Sequence, residues 1–191
     1  MSLRVWLPFD GDLKNKGLSN ISVTNNGATI DNNGKIGKCY NLDGASISFP
    51  SDLPGLCSSF SVCGWVKLNT GYATNYGFHI LNFNQTYNRI CISKDGYAVR
   101  VLFNKNGSNQ LYNSMAIASS IVAEEWNHYA ITLNSNKLRI YINGQLDSEN
   151  TLTVDSISTK PMAYIGTYGT SELCKGAIND FRLYDHALSA E

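Results

Sequence analysis

Charged side chains are sparse in this chain, 16% of its 191 residues, and its 15 basic groups are balanced by 15 acidic ones. With no net field to attract a polyanion or an anionic membrane surface, nucleic acid is not an expected partner. Long apolar runs are missing too: none approaches the roughly 20 residues that span a bilayer, so membrane insertion is not expected. The opening Met1-Ser2-Leu3-Arg4-Val5 lacks the hydrophobic region of a signal peptide, and the chain reads as soluble. Proline occurs only four times, against 16 glycines and many asparagines, so turns are frequent and several must accept positive φ. Cys39, Cys57, Cys63, Cys91 and Cys174 are odd in number and form no CxxC pair. The nearest two, Cys57 and Cys63, have no second Cys/His pair to complete a zinc site. All five read as small hydrophobes in or under strands, with free thiols. Sequons begin at Asn20, Asn84 and Asn106, and carry little meaning without a secretion signal.

What is present from end to end is period-2 alternation, the mark of strands with one buried face. Leu3, Val5, Leu7 and Phe9 share one face of an opening strand, with Arg4, Trp6 and Pro8 on the other. The polar stretch from Asp10 to Lys38 holds Asn25-Asn26-Gly27 and Asn32-Asn33-Gly34, which read as tight turns around Ala28-Thr29-Ile30. Phe60, Val62, Val66 and Leu68 fall on one side of a central strand. Further strands are expected at Ile80 to Phe83, Arg89 to Ile92, Tyr97 to Phe103, Trp126 to Leu133, Leu138 to Ile142, Ala163 to Gly166 and Gly176 to Tyr184. The only helical candidates, Met115 to Ala118 and the tail from Ala187, are too short to build a layer. A dozen short strands with turns between them predict an all-β, two-sheet antiparallel sandwich, as a single domain over 1–191 with its first and last strands close together.

Catalytic constellations are absent from the sequence. Glu124-Glu125 precedes a strand as a solvated turn and its two side chains point apart, unlike the facing carboxylates of a glycosidase. There is no G-x-S-x-G elbow and no phosphate-cradling loop, and His79, His128 and His186 lie in unrelated segments. The chain is therefore read as a binding module with no catalytic residue. Tyrosines interleaved with asparagines, from Asn69 to His79 and from Asn84 to Asn88, supply flat stacking faces beside amide donors and acceptors, as a sugar ring or a protein surface requires. Tyr72, Tyr76, Phe78 and Tyr87 are the expected ligand-binding residues, with Tyr112 and Tyr168 as neighbours. Trp65 and Trp126 are assigned to the framework, Trp126 covering an end of the core. His128 is read as a satisfied sheet histidine, and Arg182 as pairing with a carboxylate across the sheet.

Four segments, taken in order, resemble the laminin-G-like, concanavalin A-type jelly rolls. They are Phe60-Ser61-Val62-Cys63-Gly64-Trp65-Val66-Lys67, Trp126-Asn127-His128-Tyr129-Ala130-Ile131-Thr132, Leu138-Arg139-Ile140-Tyr141-Ile142-Asn143-Gly144 and Gly176-Ala177-Ile178-Asn179-Asp180-Phe181-Arg182-Leu183-Tyr184. Phe9-Asp10 at the end of the first strand, and Ala187-Leu188-Ser189 after the last, fit the same pattern. Many such relatives hold a structural calcium between the loop after the opening Phe-Asp and the closing acidic strand. Carried onto this chain, the ligands would be Asp10, Asp12 and Asp180, with no other cofactor required. The match departs here, because Lys14 and Lys16 enter the loop and Asn179 stands where an acid is usual, a thin set for an ion that takes six to eight oxygens.

The Asn-rich, lysine-poor run from Leu18 to Thr29 resembles modules of tail-associated or structural proteins of phages and prophages of Gram-positive gut bacteria. That resemblance implies an extracellular or virion-associated module that binds a cell-surface glycan or protein ligand. It would work beside other subunits of a particle or within a larger multidomain chain. An accessory carbohydrate-binding module of a secreted glycoside hydrolase, and a purely architectural or protein-interaction domain, remain the alternatives.

Overall fold

The computed structural model describes residues 2–50, 59–70, 78–82, 89–92, 99–104, 111–112, 121–151, 162–166 and 175–189. Their strands, in chain order, are β1 (Leu3–Leu7), β2 (Thr24–Asn26), β3 (Thr29–Asp31), β4 (Cys39–Asn41), β5 (Ser46–Pro50), β6 (Ser59–Leu68), β7 (Phe78–Asn82), β8 (Arg89–Ile92), β9 (Val99–Asn104), β10 (Leu111–Tyr112), β11 (Trp126–Asn134), β12 (Lys137–Ile142), β13 (Gln145–Thr151), β14 (Met162–Gly166) and β15 (Gly176–Tyr184). All pairings between these strands are antiparallel, and no helix occurs among the described residues. The larger sheet runs β13-β12-β11-β6-β15-β4-β3, with β1 also on β15, and the smaller runs β10-β9-β8-β7-β14-β5-β2.

The alternating side chains fill the space between the sheets. Val5, Leu7, Phe60, Val62, Val66, Leu68, Ile178, Phe181 and Leu183 point in from the larger sheet, and Ile47, Phe49, Phe78, Ile90, Ile92 and Val101 meet them from the smaller. Phe49 of β5 and Phe181 of β15 make a tilted ring contact at 6.1 Å across the layer.

Several expectations are corrected by this architecture. The first strand stops at Leu7, because Pro8 has no N–H to offer the ladder and Phe9 takes φ 62°. Asn25 and Asn26 lie in β2 instead of forming a tight turn, and the turn residue is Gly27 at φ 93°. β13 was not foreseen, since Gln145 to Thr151 is a largely exposed edge strand with no apolar alternation. Asn143 and Gly144 make the turn between β12 and β13, both with positive φ. The helical candidate Met115 to Ala118 lies outside the described residues.

One feature of topology positions the site. β15 is longer than β4 and β1, and both pair along its edge opposite β6. β4 takes Ala177 and Ile178, while β1 takes Phe181 to Tyr184. Between the two, β15 bulges at Asn179 and Asp180, where Asp180 has φ 52°.

Candidate functional site

The outer face of the larger sheet is built by the odd members of β6 and their neighbours in register. Cys63 lies opposite Arg182 of β15 and Ala130 of β11, and beyond them stand Trp6 of β1 and Tyr141 of β12. Two residues along, Trp65 lies between Asn179 and His128, and Lys67 between Ala177 and Trp126. Trp6, Trp65, Trp126, His128, Tyr141, Arg182 and Tyr184 are all half-buried, so this face presents rings that solvent can reach. Trp65 and Trp126 are diagonal neighbours on adjacent strands, a separation of about 7 Å.

The polar groups on this face are fixed in place. Trp6 donates its indole N–H to Asp180 Oδ1 at 2.8 Å, and Arg182 grips the same carboxylate through Nε at 3.1 Å and Nη2 at 2.9 Å. The Arg182 guanidinium also lies over the Trp6 ring, 5.2 Å from its centroid. The carboxylate partner of Arg182 is thus two residues away on its own strand, across the bulge, and not across the sheet as expected. Trp65 meets the His128 ring edge-on at 5.1 Å and carries the Lys35 ammonium 4.7 Å from its centroid. Burial pushes the His128 pKa down from its ordinary 6.5, with Asp180 opposing and Arg182 acting in the same direction. The backbone of β11 is braced by Asn127, whose buried amide donates to the carbonyls of Val122 and Glu125 and accepts from Val122 N–H.

Trp65 and Trp126 had been assigned to the framework, yet both lie on the outer face. The signal was available in the alternation itself: Trp65 has the opposite parity to Val62 and Val66, and Trp126 the opposite parity to Tyr129 and Ile131, which are buried.

Of the expected ligand-binding residues, Tyr72, Tyr76, Tyr87 and Tyr168 lie outside the described residues. Tyr112 belongs to β10, the edge strand of the smaller sheet. Phe78 is corrected: it opens β7, pairs with Ile92 and is fully buried in the core, so it is not a rim residue. The segments 71–77 and 83–88 flank opposite ends of β7.

The three acids proposed for calcium are engaged separately. Asp10 Oδ1 accepts from Lys38 N–H at 2.9 Å, Asp12 Oδ1 accepts from Lys14 N–H at 3.0 Å, and Asp180 is taken up by Trp6 and Arg182. Among the described residues no group of three His, Cys, Asp or Glu converges to hold a metal. A guanidinium already paired with Asp180 repels a cation, so this donor set does not fit calcium. Cys39, Cys63 and Cys91 are in no disulfide, and burial pushes Cys39 and Cys63 up to about 11; Cys57 and Cys174 lie outside the described residues.

A family model described as the concanavalin A-like lectin/glucanases superfamily matches residues 42–191. No curated protein matches the chain in sequence. Among solved structures, domain 4 of AbnA, a GH43 extracellular arabinanase from Geobacillus stearothermophilus solved with arabinotriose, superposes with a TM-score of 0.76 at 22% identity, covering 98% of this chain and 94% of that one. The binding domain of Paraclostridial Mosquitocidal Protein 1 gives 0.78 at 15% identity, over 99% of this chain and 50% of that one. The binding domain of botulinum neurotoxin serotype D gives 0.73 at 17% identity, over 99% and 49%. The chain therefore spans about half the length of the two toxin binding domains. At these identities the likeness is one of fold.

Proposed function

The chain belongs to the concanavalin A-like lectin/glucanases superfamily, and from that premise we propose that it is a non-catalytic module that binds carbohydrate on the outer face of its larger sheet. The observation that carries this reading is the grouping on one face of half-buried Trp65 and Trp126 beside the Asp180–Arg182 pair and His128. Indole faces supply apolar area for the C–H side of a sugar ring, and fixed donors and acceptors beside them address its hydroxyls. Rigid strands hold these groups, so little order is lost on binding.

A general acid needs a carboxyl held protonated by burial. Among the described residues Glu124, bonded to Thr70, and Glu149, bonded to Lys137 and Arg139, are shifted the other way and do not fit that role. Structural neighbours include a domain solved with arabinotriose and botulinum neurotoxin binding domains solved with a sialylated ligand or with N-acetylneuraminic acid, all parts of extracellular enzymes or toxins. They favour an extracellular setting for this module, in a secreted enzyme or a toxin-like chain; a phage tail protein that meets a cell-surface glycan rests on the resemblance of the Leu18 to Thr29 run alone.

A glycan array with the intact chain tests the reading. Retention on a defined oligosaccharide family, competed by the same sugar in solution, supports it. A blank array, together with release of reducing sugar from any polysaccharide on prolonged incubation, would replace it with an enzyme.

A further inference from the structure

We propose that the seam where β1 and β4 meet on β15 is closed by the side-chain amide of Asn179, standing where a cation would otherwise bridge the strands, and that this seam neither needs nor takes calcium. β1 and β4 share one edge of β15, and the chain leaves that edge at Pro8 and joins it at Lys38, so the ladder is interrupted. The carbonyls of Pro8 and Lys38 both turn toward Asn179. Its Nδ2 donates to Pro8 O at 3.0 Å and to Lys38 O at 2.7 Å, while its Oδ1 accepts from Ile36 N–H at 2.7 Å. Both amide protons and one lone pair are thereby matched, in a side chain with no exposed surface.

Two carbonyl oxygens directed at one point call for positive charge or for N–H donors. The orientation of the amide follows from its partners, because a flipped Asn179 would set its oxygen against two carbonyl oxygens and its NH2 against an N–H. The contacts, 2.7 and 3.0 Å, are those of N–H···O bonds. Asp10, the carboxylate nearest this loop, accepts from Lys38 N–H and packs so closely on Gly37 that an added Cβ would lie 2.5 Å from its Oδ1. Asp180 N–H completes the seam by donating to Pro8 O at 3.1 Å.

The bracket also sets the loop that carries Lys35. Ile36 is held by Asn179 on one side, and Gly34 N–H donates to Gly37 O within the same turn, so Lys35 is presented over Trp65 by a side chain in register with that ring. Its importance for ligand binding rests on the reading above, whereas the seam itself does not.

Thermal melting of the wild type and of Asn179→Asp, each in chelator and in millimolar calcium, tests the proposal without any glycan. The wild type is expected to melt at the same temperature in both. Asn179→Asp, which sets an acceptor oxygen against two carbonyls, is expected to melt lower in chelator by roughly 4–10 °C, from the loss of two buried hydrogen bonds in a chain of this size. Calcium should return part of that loss, since a ligand bound only by the folded state stabilises it. A wild-type midpoint raised several degrees by calcium would overturn the proposal, and so would an Asn179→Asp midpoint equal to wild type in chelator. Should the variant not fold, hydrogen exchange in the wild type decides: the Ile36 amide is expected to be protected equally in chelator and in calcium, and protection that appears only with calcium refutes the idea.

Discussion

The indole N–H of Trp6 donates to Asp180 Oδ1 at 2.8 Å, tying the first strand of the larger sheet to the last across 174 residues of sequence. Arg182 closes the triangle, bonding Asp180 while its guanidinium lies on the Trp6 ring. Asp180 is only 14% exposed at its side chain, so each donor it loses leaves charge unsolvated. Trp6→Phe keeps a ring beneath Arg182 and removes only the donor. A hydrogen bond to a charged group contributes about 1.5–3 kcal/mol, which for a chain of this length corresponds to a fall of roughly 3–10 °C in Tm. Calorimetry that finds no change would mean that Arg182 alone satisfies the carboxylate.

A second tie between the chain ends is sensitive to acid. Asp185 accepts from Ser2 N–H at 2.7 Å and from Arg4 Nε at 2.8 Å, and His186 Nδ1 lies 3.1 Å away. Burial raises its pKa, but the Ser2, His186 and Arg4 bonds outweigh it and hold the carboxyl at about 2, below its usual 3.8. Because the folded-state value is the lower one, the stabilisation is present above pH 3.8 and is lost as the pH falls toward 2. Asp185→Asn should be less stable than wild type near neutrality and should converge with it at pH about 2. Urea midpoints measured across that range check this, and parallel profiles for the two proteins would contradict it.

Tyr129 presents the opposite situation, a polar group with nothing to bond. Its ring is fully buried under the β15 bulge, and its hydroxyl has no partner among the described residues. It lies so close to Gly64 that an added Cβ there would sit 2.8 Å from the oxygen and 3.0 Å from Asp180 O. Removing an unsatisfied buried hydroxyl costs no hydrogen bond, so Tyr129→Phe is expected to match or exceed wild type in Tm. Gly64→Ala is expected to destabilise, and less so when combined with Tyr129→Phe, because one of its two close contacts is then gone. A clear loss of stability in Tyr129→Phe alone would point to a partner for the hydroxyl.

These relationships differ in how far they could be read from the chain itself. Strand positions followed from alternation, and β15 lies where Gly176 to Tyr184 was expected because its inward residues Ile178, Phe181 and Leu183 are apolar. Alternation sets Trp65 opposite in parity to the buried Val62 and Val66, a cue that its assignment to the framework left unused. β13 gave no periodic cue because an exposed edge strand buries neither face. Asparagines were legible as turn formers. Asn179 instead acts between segments 141 to 171 residues apart, a role that no local pattern encodes. Phe78 was grouped with its tyrosine neighbours by composition, whereas the strand that begins with it turns it into the core.

The location of the proposed carbohydrate site is the remaining expectation, and two sets of rings compete for it. Trp65 and Trp126 stand on rigid strands of the larger sheet, half-buried, with Lys35, His128 and the Asp180–Arg182 pair around them. Tyr72, Tyr76 and Tyr87 are interleaved with asparagines in the sequence, and Tyr168 stands beside Gly169 in a stretch without them. Truncating a ring that stacks on a sugar removes apolar contact area and leaves the neighbouring donors in place, so affinity falls while the fold persists. Trp126→Ala and Trp65→Ala are each expected to reduce retention on an immobilised glycan at least tenfold, with a Tm loss of only a few degrees because both rings lie outside the core. Tyr76→Ala and Tyr87→Ala are expected to retain ligand as wild type does. Single sugars should bind weakly and multivalent display should strengthen retention, since each added contact then acts at high effective concentration. If the tyrosine variants lose binding and the tryptophan variants keep it, recognition belongs to the loops, and the outer sheet face is a structural surface braced by Lys35 and Arg182.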